Sequence, residues 1–466
     1  MAGMVLTRFF NTKNLLPLFF YLMCFLFFNA VGVYLAVWGP AFYRQLYILN
    51  SGVSFLALDE NQKTLLLQLM VWPVVGFVGG YLLILFFLEK VRDRVEIFLQ
   101  KTSKSRNFSE AEITTLLLSL ILAGISVARA GSFSMMSTWF SNYTQWIAAR
   151  YHLFEKLSSP EFINLYVIVP SVCSIVAIRF LKLNKSKLLA AALVSIAVTL
   201  SAMLFQKRPI LICFQIVFIA YLLEYLNASV IKKIIIAGVA SILLYWLLIF
   251  LPTLAISETN IQSAVKYKQK SSVANEFEKK WNLTEEQIAV EVEAMEAAKS
   301  LPDSKKRLLA PVSALIFRVS YPSVFYVAAY PDVYPHYGLD LVFNKVKWTD
   351  NTDVWKLMWP HIENGSVAAP MQFVFYAQAG VWAAVGMSIL TGIILAFLWW
   401  WSSIGGFANP LRAVQGSLVL LLAVFISMDS LRNSLLATYG IVWGVLLLEL
   451  LVWIKLLVER MNKKAV

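Results

Sequence analysis

The sequence predicts an all-α fold, a polytopic transmembrane helix bundle of about ten or more spans with one long helical loop outside the membrane. Three observations carry this. Of 466 residues, 59% are hydrophobic and only 14% are charged, against roughly 25% charged in an ordinary soluble domain. The apolar residues gather into runs of about 20, the length of helix that crosses the hydrocarbon of a bilayer, and mean hydropathy is +0.69. Phe (32), Tyr (19) and Trp (15) are abundant, as rings that settle at membrane–water boundaries are. Disorder, a collagen-like chain and a cytosolic enzyme are excluded.

Ten runs qualify as spans: 15–38, 65–88, 113–131, 161–180, 188–205, 209–226, 234–256, 368–400, 412–429 and 437–455. The first is too long for a signal-peptide core and lacks a small-residue cleavage site, so it reads as a membrane helix. Residues 1–256 then carry helices 1–7, 257–367 form an external loop, and 368–466 carry helices 8–10. No internal repeat of the kind that builds duplicated transporters stands out.

Ten crossings put both termini on one side. The connections on the terminal side hold 19 Lys+Arg, and the opposite short connections hold 8. Positive charge stays inside, so both termini are expected in the cytoplasm. The net charge of +13 is thus mostly a topology signal, and no nucleic-acid partner is implied. An enzyme reporter fused after residue 104 should read cytoplasmic, and one fused after residue 280 external. The opposite pair of readings would overturn this orientation.

The long loop carries helix signals of its own. Thr284-Glu285-Glu286-Gln287 is a capping box, and Ile288, Val292 and Met295 follow at helical spacing until Pro302. Val273, Phe277 and Trp281 mark another amphipathic turn or two. Leu308 to Ala329 is apolar but contains Arg318, Pro311 and Pro322. We read it as a re-entrant or interfacial segment, which membrane depth tolerates only against protein or a wet cavity.

The chemistry-bearing residues fall on the external side. Lys207 and Arg208 sit in the tight hairpin Leu204-Phe205-Gln206-Lys207-Arg208-Pro209. Arg432 occupies the last external hairpin, Asp429-Ser430-Leu431-Arg432-Asn433. Arg318 lies within the apolar loop segment, Arg150 in the second external loop and Arg129 at its start. Arginine keeps its charge, and its planar fork matches phosphate oxygens in pairs, so several at one leaflet suit a diphosphate. The plainer alternative is that these side chains reach for lipid headgroups. Arg318 differs, because an arginine amid Leu, Ile, Phe and Val needs an anionic partner.

His361 and Glu363, in Trp359-Pro360-His361-Ile362-Glu363-Asn364-Gly365, precede a helix at the membrane face. They are the first pair to consider for taking a proton from a sugar hydroxyl. His336 and Asp332 offer the same chemistry farther along the loop, where His336 would also suit a gate. Tyr143, Trp139, Trp146, Tyr321, Tyr330, Tyr334 and Tyr337 suit sugar rings or an aromatic belt. There is no paired His at helical spacing, no carboxylate cluster and no P-loop, so neither metal nor nucleotide cofactor is expected.

Taken together the layout resembles the bacterial oligosaccharide repeat-unit polymerases (O-antigen polymerases, Wzy type), relatives in architecture of the O-antigen ligases and other glycosyltransferase-C-like membrane enzymes. The likeness covers nearly the whole chain and is one of layout. It rests on the number of helices, on Lys207-Arg208-Pro209 after a middle helix and on the late external loop with Arg318. It rests also on the helix opening Ala369-Pro370-Met371-Gln372-Phe373-Val374-Phe375-Tyr376-Ala377-Gln378-Ala379-Gly380, where Gln378 stands at the place such proteins often give to an acid.

The resemblance implies a metal-independent transferase of the cell inner membrane that works on the periplasmic face. Its substrate would be an undecaprenyl-diphosphate-linked oligosaccharide, transferred to the non-reducing end of a second unit. On this reading Arg208, Lys207, Arg432, Arg150, His336 and Tyr321 bind substrate, while His361, Glu363 and Arg318 act at the reacting bond. The lipid bilayer and a chain-length regulator protein are the implied partners. Two alternatives stay open: a ligase that moves finished glycan to lipid A core, and a flippase-type transporter. A transporter should carry polar groups in mid-helix, and Glu224 and Glu449 read as lying near helix ends.

Overall fold

The structure is a computed structural model that describes residues 13–100, 110–137, 149–150, 152–153, 155–182, 186–204, 207–224, 285–338, 349–360, 367–407, 409–436 and 440–464. The protein is helical, and no strand occurs among the described residues. In chain order the helices are α1 (Leu16–Val37), α2 (Ala41–Ser51), α3 (Glu60–Gln100), α4 (Glu110–Arg129) and α5 (Ser159–Leu181). Next come α6 (Lys187–Ala202), α7 (Lys207–Glu224), α8 (Glu285–Lys299), α9 (Asp303–Ala329) and α10 (Thr349–Met358). The chain ends with α11 (Met371–Ser403), α12 (Pro410–Ile426), the short α13 (Leu431–Leu435) and α14 (Ile441–Lys464).

Among the described residues five helices are long and apolar enough to cross a membrane: α1, Glu60–Glu96 of α3, α4, α5 and α11. Lys187–Ala202, Pro209–Leu223 and Pro410–Ile426 are shorter apolar helices. The run 234–256 lies outside the described residues; each of the other nine runs falls on a helix.

The centre of the bundle is α12, whose residues are buried along nearly its whole length. It packs against α1, α5, α7, α11 and α14. Lipid tails are as apolar as leucine, so burial alone does not press membrane helices together; close backbone approach does. The longest seam, between α3 and α11, shows how. Gly76 and Gly80 on α3 are four residues apart, and Gly392 lies on the facing side of α11. A Cβ on Gly80 would meet the Ile389 carbonyl oxygen, and one on Gly392 the Phe77 carbonyl oxygen, both under 3.0 Å. α3 has 41 residues, about 60 Å at 1.5 Å per residue, and so outruns a hydrocarbon core of about 30 Å. Beyond the seam Arg92 ties Glu89 and Glu96 together and reaches Ser403 at the end of α11.

Among the described residues two helices contain a π turn, and each turn carries a polar anchor, one buried and one partly buried. Asn29, in the turn Leu26–Ala30 of α1, is fully buried and donates its amide to the Ser427 carbonyl at the end of α12. Asn164, opening the turn Asn164–Ile168 of α5, donates to the Ser119 carbonyl of α4 at 3.1 Å. The wider turn re-aims the side chain toward a neighbour, a usual use of such insertions, and the bond satisfies an amide donor that burial would otherwise penalise.

The segment we read as re-entrant behaves differently. Residues 303–329 form one helix of 27 residues that continues through Pro311 and Pro322. It packs on α1 and α2, and Gly32 of α1 leaves room for Ser320. The prolines suggested a break; an apolar face held against two helices keeps the element whole. Outside the bundle, α8 lies where the capping-box spacing puts it and docks on α2. There Arg44, nearly buried, pairs with Glu291, whose other carboxylate oxygen accepts from Gln45 at 2.6 Å.

Candidate functional site

The first two turns of α11, Met371–Ala377, are buried throughout. The helix then breaks. Ala379 (φ −154°, ψ 29°) and Gly380 (φ 81°, ψ −172°) leave helical geometry before α11 resumes along α3. The Gly380 conformation is essentially closed to residues with a Cβ, which is why glycine stands there. Helix breaks at membrane depth survive where protein or a water-filled cavity receives the freed backbone. Here the receiving element is the loop after α9. The Ala377 carbonyl accepts the Tyr337 N–H at 3.3 Å and lies 3.3 Å from His336 Nδ1.

That loop is held from several sides. Tyr376, on the buried half of α11, donates its hydroxyl to the Tyr330 carbonyl. Tyr337 donates to the Asp353 carboxylate of α10. Tyr326 donates to Asn351 Oδ1 at 2.6 Å, and Gln62 at the start of α3 donates to Asp332 at 3.3 Å. α10 itself is pinned by the Ser54 N–H on the Met358 carbonyl (2.7 Å) and by the Trp359 indole on the Ser51 carbonyl (3.0 Å). Three elements distant in sequence, α3, α10 and α11, thus converge on nine loop residues, 330–338.

The result is an exposed polar rim over an aromatic floor. Asp332 and His336 are exposed, Tyr334 and Tyr337 half-buried, Tyr330 and Tyr376 buried. The His336 ring lies nearly parallel to Tyr330 (12°, centroids 6.3 Å apart) and edge-on to Tyr376 (5.4 Å). Partial burial, and then the nearby Asp353 carboxylate, push the Tyr334 phenol above its usual range, so it remains a hydroxyl donor. Gln372, four residues before Tyr376, is fully buried, and neither amide atom has a hydrogen-bond partner among the described residues. Among the described residues no three His, Cys, Asp or Glu side chains come together as a metal set.

The residues singled out in the sequence are distributed unevenly. His361 and Glu363 lie outside the described residues, as do Tyr143, Trp139 and Trp146. His336 lies in the cluster. Tyr321 does not: it is fully buried on α9, beside Tyr47 and Phe325, with its hydroxyl 3.3 Å from the Ser54 carbonyl. Packed against α2 and its own helix, it presents nothing to a ligand in this conformation. Arg318 is exposed while its neighbours Phe317, Val319 and Tyr321 are buried. The Arg318 side chain is therefore not packed among the apolar residues that flank it in sequence, because the helix turns this position outward. Arg129 is engaged with Glu161, which also accepts from the Ser158 N–H and hydroxyl in a capping box at the start of α5.

Arg150 and Arg432 are partly buried. The helix that begins at Lys207, which includes Arg208, starts at the same end of the bundle as α13, the helix carrying Arg432. Gly440 before α14 abuts Ile163 at the start of α5, and Ser201 before α7 reaches the Leu165 carbonyl. The Asn29–Ser427 bond joins this end to α1 and, along the chain, to α2.

Several residues escaped the sequence reading. Asp353, Tyr376, Gln62 and Asn351 bear on the cluster only through folding, and no local pattern marks them. Arg412 is another case. Buried on α12, it donates to Glu449 at 2.5 Å and to Gln415 at 2.6 Å, and Gln415 in turn reaches Glu449 at 3.2 Å. Glu449 sits nine residues into the 24-residue α14, inside the bundle and away from the helix end. The interior is therefore not free of charge, contrary to the reading of Glu449 as terminal.

Comparison of the chain with known protein families, with curated proteins and with solved structures finds no match.

Proposed function

We propose that the protein polymerises undecaprenyl-diphosphate-linked oligosaccharide repeat units at the periplasmic face of the bacterial inner membrane. One unit is transferred from its lipid diphosphate to the non-reducing end of another. The observation that carries this reading is the polar rim around the broken α11, with Asp332, His336, Tyr334 and Tyr337 exposed or half-buried over buried tyrosines. Carboxylate, imidazole and phenol groups beside aromatic rings suit sugar hydroxyls and sugar faces. The Arg432 hairpin and the Lys207–Arg208 helix start lie at the same bundle end and suit the diphosphate. Their charge would stabilise the leaving group as it develops. In this proposal the chain crosses the membrane ten times with both termini in the cytoplasm, and a chain-length regulator is a partner. The interior charges favour transport less than they first suggest, because Arg412, Gln415 and Glu449 satisfy one another.

Polymer ladders from cells carrying Arg208→Ala, Arg318→Ala or Arg432→Ala test the diphosphate clamp. Each variant should accumulate normally in the membrane and lose most long-chain polymer. Arg432→Lys should restore little, since a point charge lacks the paired geometry. Full-length polymer in the Arg318→Ala strain would remove that residue from the site. Repeat units that stay on the cytoplasmic leaflet would point to transport instead.

A further inference from the structure

His336 is held in a way that fixes where its proton sits. Its Nδ1 lies 3.3 Å from the Ala377 carbonyl oxygen, a long hydrogen bond. A carbonyl only accepts, so the neutral ring bonds there as the Nδ1–H tautomer, and Nε2 is left with its lone pair. Nε2 makes no hydrogen bond among the described residues and faces Gly380, where an added Cβ would come only to 3.8 Å. The ring is exposed, with the Tyr330 face on one side and the Tyr376 edge on another. Asp332 stands four residues earlier on the same rim, steadied by Gln62. The break at Ala379–Gly380 accounts for the arrangement: it bends α11 away just past the orienting carbonyl and puts a residue without a side chain opposite the free nitrogen.

We propose that His336 is the catalytic base that takes the proton from the acceptor sugar's hydroxyl, with Ala377 as its orienting group. This rests on the glycosyl-transfer reading and moves the base from His361 and Glu363 to the loop after α9. In the step, the acceptor oxygen forms a bond to the anomeric carbon of the donor unit and its proton passes to Nε2. The bond between that carbon and the diphosphate oxygen breaks, and the undecaprenyl diphosphate leaves with the electron pair. The imidazolium then returns its proton to bulk water. An oriented base of this kind contributes on the order of 10²–10⁴-fold.

The test uses the full-length protein reconstituted in vesicles with the cell's own undecaprenyl-diphosphate-linked repeat unit. His336→Ala and His336→Gln should both accumulate in membranes, still retain the lipid-linked unit, and extend chains at least about a hundredfold more slowly than the unaltered protein. The Gln variant keeps an amide donor for Ala377 but has no basic nitrogen, which separates loss of the base from loss of packing. Added imidazole should restore extension in His336→Ala and leave His336→Gln unchanged, because only the Ala variant leaves room for it. Near-normal extension by either variant overturns the assignment, and so does an inactive Ala variant that imidazole does not restore. If the unaltered protein itself makes no polymer, the glycosyl-transfer reading falls and the base role falls with it.

Discussion

Gly80→Ala and Gly392→Ala should each strip the protein of much of its stability, whereas Gly79→Ala should leave it unchanged or slightly more stable. The three positions carry the same residue type on the two helices that form the long seam, and they differ in whether they face it and so in what a methyl group would meet. At Gly80 it meets the Ile389 carbonyl, and at Gly392 the Phe77 carbonyl, each under 3.0 Å. Backbone cannot swing aside as a side chain can, so the helices must part. Overpacking of this kind costs typically about 1–3 kcal/mol, and more is expected where two helices separate along a shared face. At Gly79 nothing lies within 4 Å, and replacing a helical glycine with alanine gains up to about 1 kcal/mol. Thermal unfolding of the three variants in detergent micelles measures this. Equal effects at Gly79 and Gly80 would mean that the α3–α11 seam is not packed backbone to backbone.

Arg412→Ala should be comparably damaging, for an electrostatic reason. Arg412 is 3% exposed, and its partner Glu449 has a side chain 15% exposed. Removing one member of a buried pair strands the other charge, at a cost of about 3–5 kcal/mol. Replacing both with apolar residues of similar volume strands nothing. Arg412→Met combined with Glu449→Leu should therefore recover most of what Arg412→Ala loses. The unfolding free energies of the two variants against the unaltered protein decide the matter. An Arg412→Ala protein within about 1 kcal/mol of the unaltered chain would show the pair to be no more than an exposed contact in effect.

Much of the helical layout could be read before folding was considered. Hydrocarbon thickness sets a minimum run of apolar residues, and this constraint is local. The expected run 368–400 and the observed Met371–Ser403 differ by three residues at each end. The helix Glu285–Lys299 was legible for a similar reason: its periodicity lies within its own residues. Asparagine in each π turn, by contrast, became meaningful only when Ser427 and Ser119 were found opposite.

The candidate site was legible in part. His336, Tyr330, Tyr334 and Tyr337 drew notice as polar and aromatic residues outside the apolar runs. Their partners did not, because Tyr376 reads as one more aromatic in a membrane helix and Asp353 as one more surface acid. Arg318 shows the converse: an arginine in an apolar stretch looked buried, and the rotation of α9 turns it outward.

By itself, then, the sequence determined that this chain is a helical membrane protein and roughly where its apolar helices begin and end. Those properties follow from composition and from spacing within about 20 residues, the scale on which a bilayer selects. Only the tertiary structure decided that α9 continues through its prolines, that α11 breaks at Gly380, and that Arg412 meets Glu449. It also decided that Ala377 orients His336 across 41 residues. Each of these depends on which surface is brought against which other, and hydropathy, an average along the chain, holds no record of that.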